Sequence, residues 1–126
     1  MERINIKQYK AMMTEDKGNK YNARKTRVDG ITFDSRKEAH YYCDLKRLQK
    51  AGQVVGFDMQ VEFVLQEGFY YHKKYFRPIK YVADFVVRYA SGKTEVVDVK
   101  GFRPRVYEIK KKMLLKQHPE IDFREV

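Results

Sequence analysis

The sequence predicts an α/β domain, and three stretches carry that prediction. Between Asp34 and Gly52, Ala39, Tyr42, Cys43, Leu45, Leu48 and Ala51 recur at helical spacing. From Tyr81 to Val99, two β-branched runs flank a Gly-containing turn, the pattern of a β-hairpin. After Pro104, which suits a first helical turn, Val106, Ile109, Met113 and Leu114 mark one apolar face of a second helix. His118-Pro119 stops that helix, and the alternating IDFREV reads as a final strand. The predicted order is therefore helix, strand or strand pair, hairpin, helix, strand.

Length and charge bound the function. The chain has 126 residues, enough for one domain with a real core. Its formal net charge is +10 with 35% charged and 14% aromatic residues, a balance that favours an anionic partner, nucleic acid above all. Cys43 is the only cysteine, which excludes an internal disulfide and a cysteine-based zinc cluster. No segment approaches the ~20 apolar residues of a membrane span, and MERINIKQYK has no secretory pattern. The expectation is a cytoplasmic protein without membrane contact.

The first 27 residues are polar and Lys/Arg-rich, with a breaker cluster at Asp16 to Lys20. They read as a basic arm, either a solvated tail or a DNA-backbone contact made by Arg24, Lys25 and Arg27. Residues 28–126 read as the single folded domain. Val28 to Phe33 predicts a turn and short strand leading into the first helix. Ser35 with Glu38 three residues on forms a capping box, which gives Glu38 a structural role at the helix start. Val54 to Gln66 predicts a strand or strand pair, with Gly56 or Asp58 as bulge or turn. Phe69 to Phe76 mixes aromatic with basic residues. It reads either as an edge strand packing its rings on the core, or as a DNA-contact surface that includes Lys73 and Lys74.

The central hairpin holds the candidate chemistry. Its runs are nearly continuous in apolar residues, as in strands buried on both faces, yet they contain Asp84 and Asp98, and Lys100 follows. Buried charges are costly unless paired or metal-bound. A three-residue loop Ala90-Ser91-Gly92, with Gly92 in the left-handed region, pairs Tyr89 with Lys93, Val87 with Glu95 and Asp84 with Asp98. The carboxylates then share a face, and a divalent cation between them converts repulsion into attraction. A two-residue loop places them on opposite faces.

These residues resemble the PD-(D/E)XK nuclease superfamily. Asp84, then a hairpin, then Asp98-Val99-Lys100 is similar to its signature, with Ala83 in place of the family's proline. Tyr81-Val82-Ala83-Asp84-Phe85 and Asp98-Val99-Lys100-Gly101 resemble the YxADF and DVKG segments of small phage and prophage nucleases, the branch that includes Holliday junction resolvase-like enzymes. FDSRKEAHYYCDL is similar to their FxSKxEAxYYxxL helix. The resemblance covers about Phe33 to Val126. It implies a restriction-endonuclease-like αβββαβ core, a mixed sheet flanked by helices.

It also implies catalysis by Glu38, Asp84, Asp98 and Lys100. Asp84 and Asp98, with the Val99 carbonyl, would ligate Mg²⁺ or Mn²⁺. Glu38 would bind a second ion or a metal-bound water, or remain only a cap. Lys100 would orient the attacking water. Arg103 and Lys111 join the arm and Lys73 and Lys74 as DNA contacts. The expected activity is endonucleolytic hydrolysis of DNA phosphodiesters. A chain this short has no separate sequence-reading domain, so branched DNA ranks above a sequence-defined target, and cutting two strands calls for a homodimer. The alternatives are a non-catalytic nucleic-acid-binding protein of the same fold, and an assembly factor whose charge is incidental. Salt-independent binding would favour the last.

Overall fold

A computed structural model of the chain describes residues 25–99 and 103–126. Over the described residues it is an α/β structure of two helices, a mixed four-stranded sheet and two small hairpins. Two compact units divide it, residues 1–46 and 47–126.

In the first unit, β1 (Thr26–Val28) and β2 (Ile31–Phe33) pair antiparallel. Asp29 and Gly30 join them with φ of 53° and 77°. Two left-handed residues make the mirror-image turn that matches strand twist, and Asp-Gly is a favoured pair there. The hairpin takes in Thr26 and Arg27, which the sequence alone placed in the basic arm. The Lys/Arg-rich composition hid a three-residue strand whose pairing depends on the turn.

Helix α1 (Arg36–Lys50) starts in this unit and ends in the next. Ser35 caps it, accepting the Glu38 N–H at 3.1 Å. Ala39, Tyr42 and Leu45 are buried at the predicted spacing. The Tyr42 hydroxyl donates to Asp29 Oδ2 at 2.9 Å, and its ring lies 5.2 Å from that of Phe33. Burial, then the Asp29 bond, raises the Tyr42 pKa. Gly52 ends the helix with φ 85°, while the Gln53 N–H reaches back to the Leu48 carbonyl at 3.0 Å.

The sheet belongs to the second unit. Its order is β3 (Val54–Gln66), β6 (Ile79–Tyr89), β7 (Thr94–Asp98), β8 (Asp122–Glu125). β3–β6 and β6–β7 are antiparallel, and β7–β8 is parallel. Val54 to Gln66 is thus one 13-residue strand, with the expected irregularity between Val54 and Gly56. Helix α2 (Arg105–Gln117) packs on β3 and β6. Leu65, Tyr81, Ala83, Val96, Tyr107 and Leu114 form the core there. Gln117 Nε2 donates to the Leu65 carbonyl at 2.6 Å and ties the helix end to β3.

Helix α2 corrects the sequence reading of its face. Val106 and Ile109 are 54% exposed, Leu114 is buried as that reading has it, and Tyr107 is buried on the inward side. Tyrosine can fill an inward position here because its hydroxyl finds the Glu125 carboxylate. Pro104 sits just outside the helix as its N-cap.

The segment expected as an edge strand is a separate hairpin, β4 (Phe69–Tyr71) with β5 (Lys74–Phe76). His72 and Lys73 turn it with φ of 49° and 66°. Lys73 is not a customary left-handed residue, and His-Lys is not one of the Gly- or Asn-containing pairs that mark a two-residue hairpin turn, so the turn was not legible in the sequence.

Candidate functional site

The β6–β7 register brings two of the predicted residues together. Phe85 pairs with Val97, Val86 with Val96, Val87 with Glu95 and Arg88 with Thr94. The ladder ends at Phe85–Val97, one residue short of Asp84 on β6 and of Asp98 on β7. The turn is the odd-length one: the Tyr89 N–H donates to the Lys93 carbonyl at 2.9 Å, and the Gly92 N–H to the Tyr89 carbonyl at 2.9 Å. Gly92 has φ 95°, a conformation that a Cβ would strain.

Strict alternation fails near Asp84. Tyr81 and Ala83 lie in the same core as Val96, and Val86 packs against it. Simple parity along β6 would separate Val86 from Tyr81 and Ala83. The β3–β6 ladder runs from Met59–Phe85 to Val61–Ala83, stepping over Gln60 and Asp84, and Gln60 has φ 54°. Asp84 therefore sits at an irregular point in an otherwise continuous strand.

Both aspartates are buried, Asp98 completely. Asp84 Oδ2 accepts the Val99 N–H at 2.7 Å, where β7 ends. Asp98 Oδ1 accepts the Tyr81 hydroxyl at 3.2 Å. Arg103 Nε lies 3.6 Å from Asp98 Oδ2, and Arg103 Nη2 donates to the Asp98 carbonyl at 3.3 Å. Burial foremost, then the Asp98 charge, raises the Tyr81 pKa far above its ordinary value, and the Asp84 charge adds to this. The Tyr81 hydroxyl thus senses both carboxylates.

A second layer holds Arg103. Its Nε is 3.5 Å from Glu125 Oε2, and its guanidinium lies 5.7 Å from the Tyr107 ring centre. Glu125 also accepts from the Tyr107 hydroxyl and from Lys111 Nζ at 3.2 Å. The Tyr107 bond, then Lys111, lowers the Glu125 pKa, although partial burial opposes it. Burial first, and then the Glu125 bond, raises that of Tyr107. Tyr81, Tyr107 and Glu125 were missed by sequence reasoning. A buried Asp98 signalled that partners were needed, but only the register of parallel β8, which sets Glu125 beside Asp98, identifies this set.

Glu38 is buried in the first turn of α1, in the first unit. Lys100 and Arg24 lie outside the described residues. Lys25 pairs with Asp34 at 3.4 Å, and Arg27 is exposed on β1. Lys73 and Lys74 are exposed on the β4–β5 hairpin. Arg103 and Lys111, read as DNA contacts, meet carboxylates of their own chain.

Among the described residues, no group of three or more His, Cys, Asp or Glu side chains is arranged to hold a metal ion. Asp84 and Asp98 supply two carboxylates, hard oxygen donors of the kind and number that Mg²⁺ takes when waters and a substrate phosphate complete its shell. This donor set fits the ion that the sequence resemblance implies.

Comparison with known proteins gives one family. The family described as Protein of unknown function (DUF1064) matches residues 18–126. The chain belongs to that family. Its match takes in both units and begins inside the basic leader, ahead of β1. No curated protein and no solved structure matches the chain. No described helix is long and apolar enough to cross a membrane.

Proposed function

We propose that this chain is a metal-dependent endodeoxyribonuclease that hydrolyses phosphodiester bonds in branched DNA. One observation carries the reading: buried Asp84 accepts the Val99 N–H at the end of β7, the residue next to fully buried Asp98, and β7 leads directly to Val99-Lys100. Apart from the two small hairpins, the order α1, β3, β6, β7, α2, β8 supports a restriction-endonuclease-like αβββαβ core. The net charge of +10 supports a polyanionic substrate.

In this reading Asp84 and Asp98 hold Mg²⁺ or Mn²⁺. When bound, the ion would polarise the scissile phosphate and lower the pKa of the attacking water. Tyr81 and the Val99 amide fix the two carboxylates by donating to them, which limits the reorganisation needed at the site. Arg103 offsets the second negative charge on a strand pair where like charges would otherwise repel. Lys100 orients the water and stabilises charge on the reacting phosphate. Glu38 enters this reading through the sequence resemblance. Cutting both strands of a junction calls for a homodimer.

A second reading has its own support. Asp98 already meets Arg103 and Tyr81, so its charge is compensated within the chain. A DNA-binding protein that does not cut would need no more. Nicking of branched and linear DNA with Mg²⁺ or Mn²⁺, with a chelator control, separates the two. Asp84→Asn and Lys100→Ala should each lower cleavage by about 10²–10³-fold while the protein stays folded by circular dichroism. Lys100→Ala should still bind metal and DNA. A wild-type chain that cuts nothing with either metal would promote the non-catalytic reading.

A further inference from the structure

The β4–β5 hairpin is exposed along its whole length, from Phe69 to Arg77. A two-stranded hairpin is marginal in water unless one face packs on something. Here aromatic residues line both faces. Phe69 stacks on Phe76 with ring centres 5.1 Å apart and planes 10° apart. On the other face Tyr70 meets Tyr75 at 5.0 Å. These cross-strand pairs hold the hairpin together without the core. At its root, Gly68 leaves room for the Tyr75 side chain, which would collide with any Cβ there. Tyr75 is thereby turned back on the backbone, while Tyr70 and Tyr71 are 74% and 62% exposed.

The charge around these rings has one sign. Lys73, Lys74 and Arg77 lie in or beside the hairpin, and no carboxylate occurs from Gly68 to Lys80. Flat exposed rings interleaved with cations complement an unpaired base and its phosphate. A second copy of the chain is a poorer occupant. It would bring Lys73 and Lys74 against like charges, and lysine is depleted in such interfaces.

We propose that the β4–β5 hairpin is a stacking surface for the unpaired bases of single-stranded DNA. Tyr70 and Tyr71 take the bases, and Lys73 and Arg77 meet the phosphates. The proposal rests on DNA being the partner, and it narrows the substrate to DNA with unpaired nucleotides beside a branch. The five residue-to-residue steps from Ile79 to Asp84 span ~17 Å of strand, about the length of five stacked nucleotides. The hairpin root is thus within reach of a strand bound at the aspartates.

The test uses the full chain without metal, so that no cleavage is involved. Fluorescence anisotropy compares an oligothymidine of about 20 nucleotides with a duplex of the same length, a length that covers more than one stacking site. Tyr70→Ala with Tyr71→Ala should weaken single-strand binding by about tenfold or more and leave duplex binding and melting temperature unchanged. Tyr70→Phe with Tyr71→Phe should restore it. Unchanged single-strand binding, or equal loss on both DNAs, overturns the stacking surface and leaves the nuclease reading intact. A wild-type chain that binds neither DNA overturns both. A dimer that the Ala variant converts to a monomer in sedimentation overturns the proposal in favour of a subunit contact.

Discussion

The two hairpins of the second unit solve opposite problems. β6–β7 buries Ala83, Phe85, Val87, Val96 and Val97 completely and carries three buried carboxylates among them, Asp84, Glu95 and Asp98. β4–β5 buries none of its residues and carries rings and cations. The first is held by its surroundings, so its side chains are fixed in position. The second is held by its own ring pairs, so its outer rings remain available. The difference separates a place suited to chemistry, which needs rigid groups, from a place suited to contact, which needs accessible ones.

Substitutions at matched positions should widen that contrast. The largest effect is expected at Phe85, whose ring is fully buried and lies 6.2 Å from that of Phe57. Phe85→Ala should cost ~3–5 kcal/mol in urea unfolding. A loss comparable to that of a surface change would mean that the β6–β7 hairpin is not anchored by its core.

Tyr81→Phe comes next. It removes the hydroxyl that donates to buried Asp98, and should cost ~1–3 kcal/mol. It also carries a pH signature. The Tyr81 pKa lies above its ordinary value of 10.0 in the folded chain, so the folded state holds the proton more tightly. The associated stability is complete below that ordinary value and falls as pH rises beyond it. Melting temperature against pH should therefore decline less steeply on the alkaline side in Tyr81→Phe than in the wild type. Identical slopes would show that the tyrosine does not report on the aspartates.

The loops extend the comparison. Gly92→Ala forces a Cβ into φ 95° and should cost ~1–2 kcal/mol. The smallest effect is expected at Tyr70, where Tyr70→Ala should change stability by no more than ~0.5 kcal/mol. A larger loss there would show that the exposed hairpin is structural.

Legibility in the sequence followed the same divide. Gly92 in a β-branched setting marked the turn but left a two- or three-residue loop open, and the structure has the register of the three-residue loop, with Val87 opposite Glu95. Ser35 and Gly52 marked the limits of α1 for equally local reasons. The β4–β5 turn was not legible, because His72 and Lys73 adopt left-handed φ with no residue type that demands it. Nor was the Arg103–Glu125–Tyr107 network, because it depends on a parallel β7–β8 pairing between residues far apart in the chain. The charges of Arg103 and Lys111 were visible, but what faces them was not.

The central claim is that Asp84 and Asp98 together hold a divalent cation. Mn²⁺ paramagnetic resonance on the full chain with duplex DNA tests it most directly. The account predicts a protein-bound Mn²⁺ signal that Asp84→Asn and Asp98→Asn each weaken by about 10–100-fold in affinity, at least the effect of losing an outer partner of a metal ligand. Mn²⁺ binding that is unchanged in both variants would contradict it.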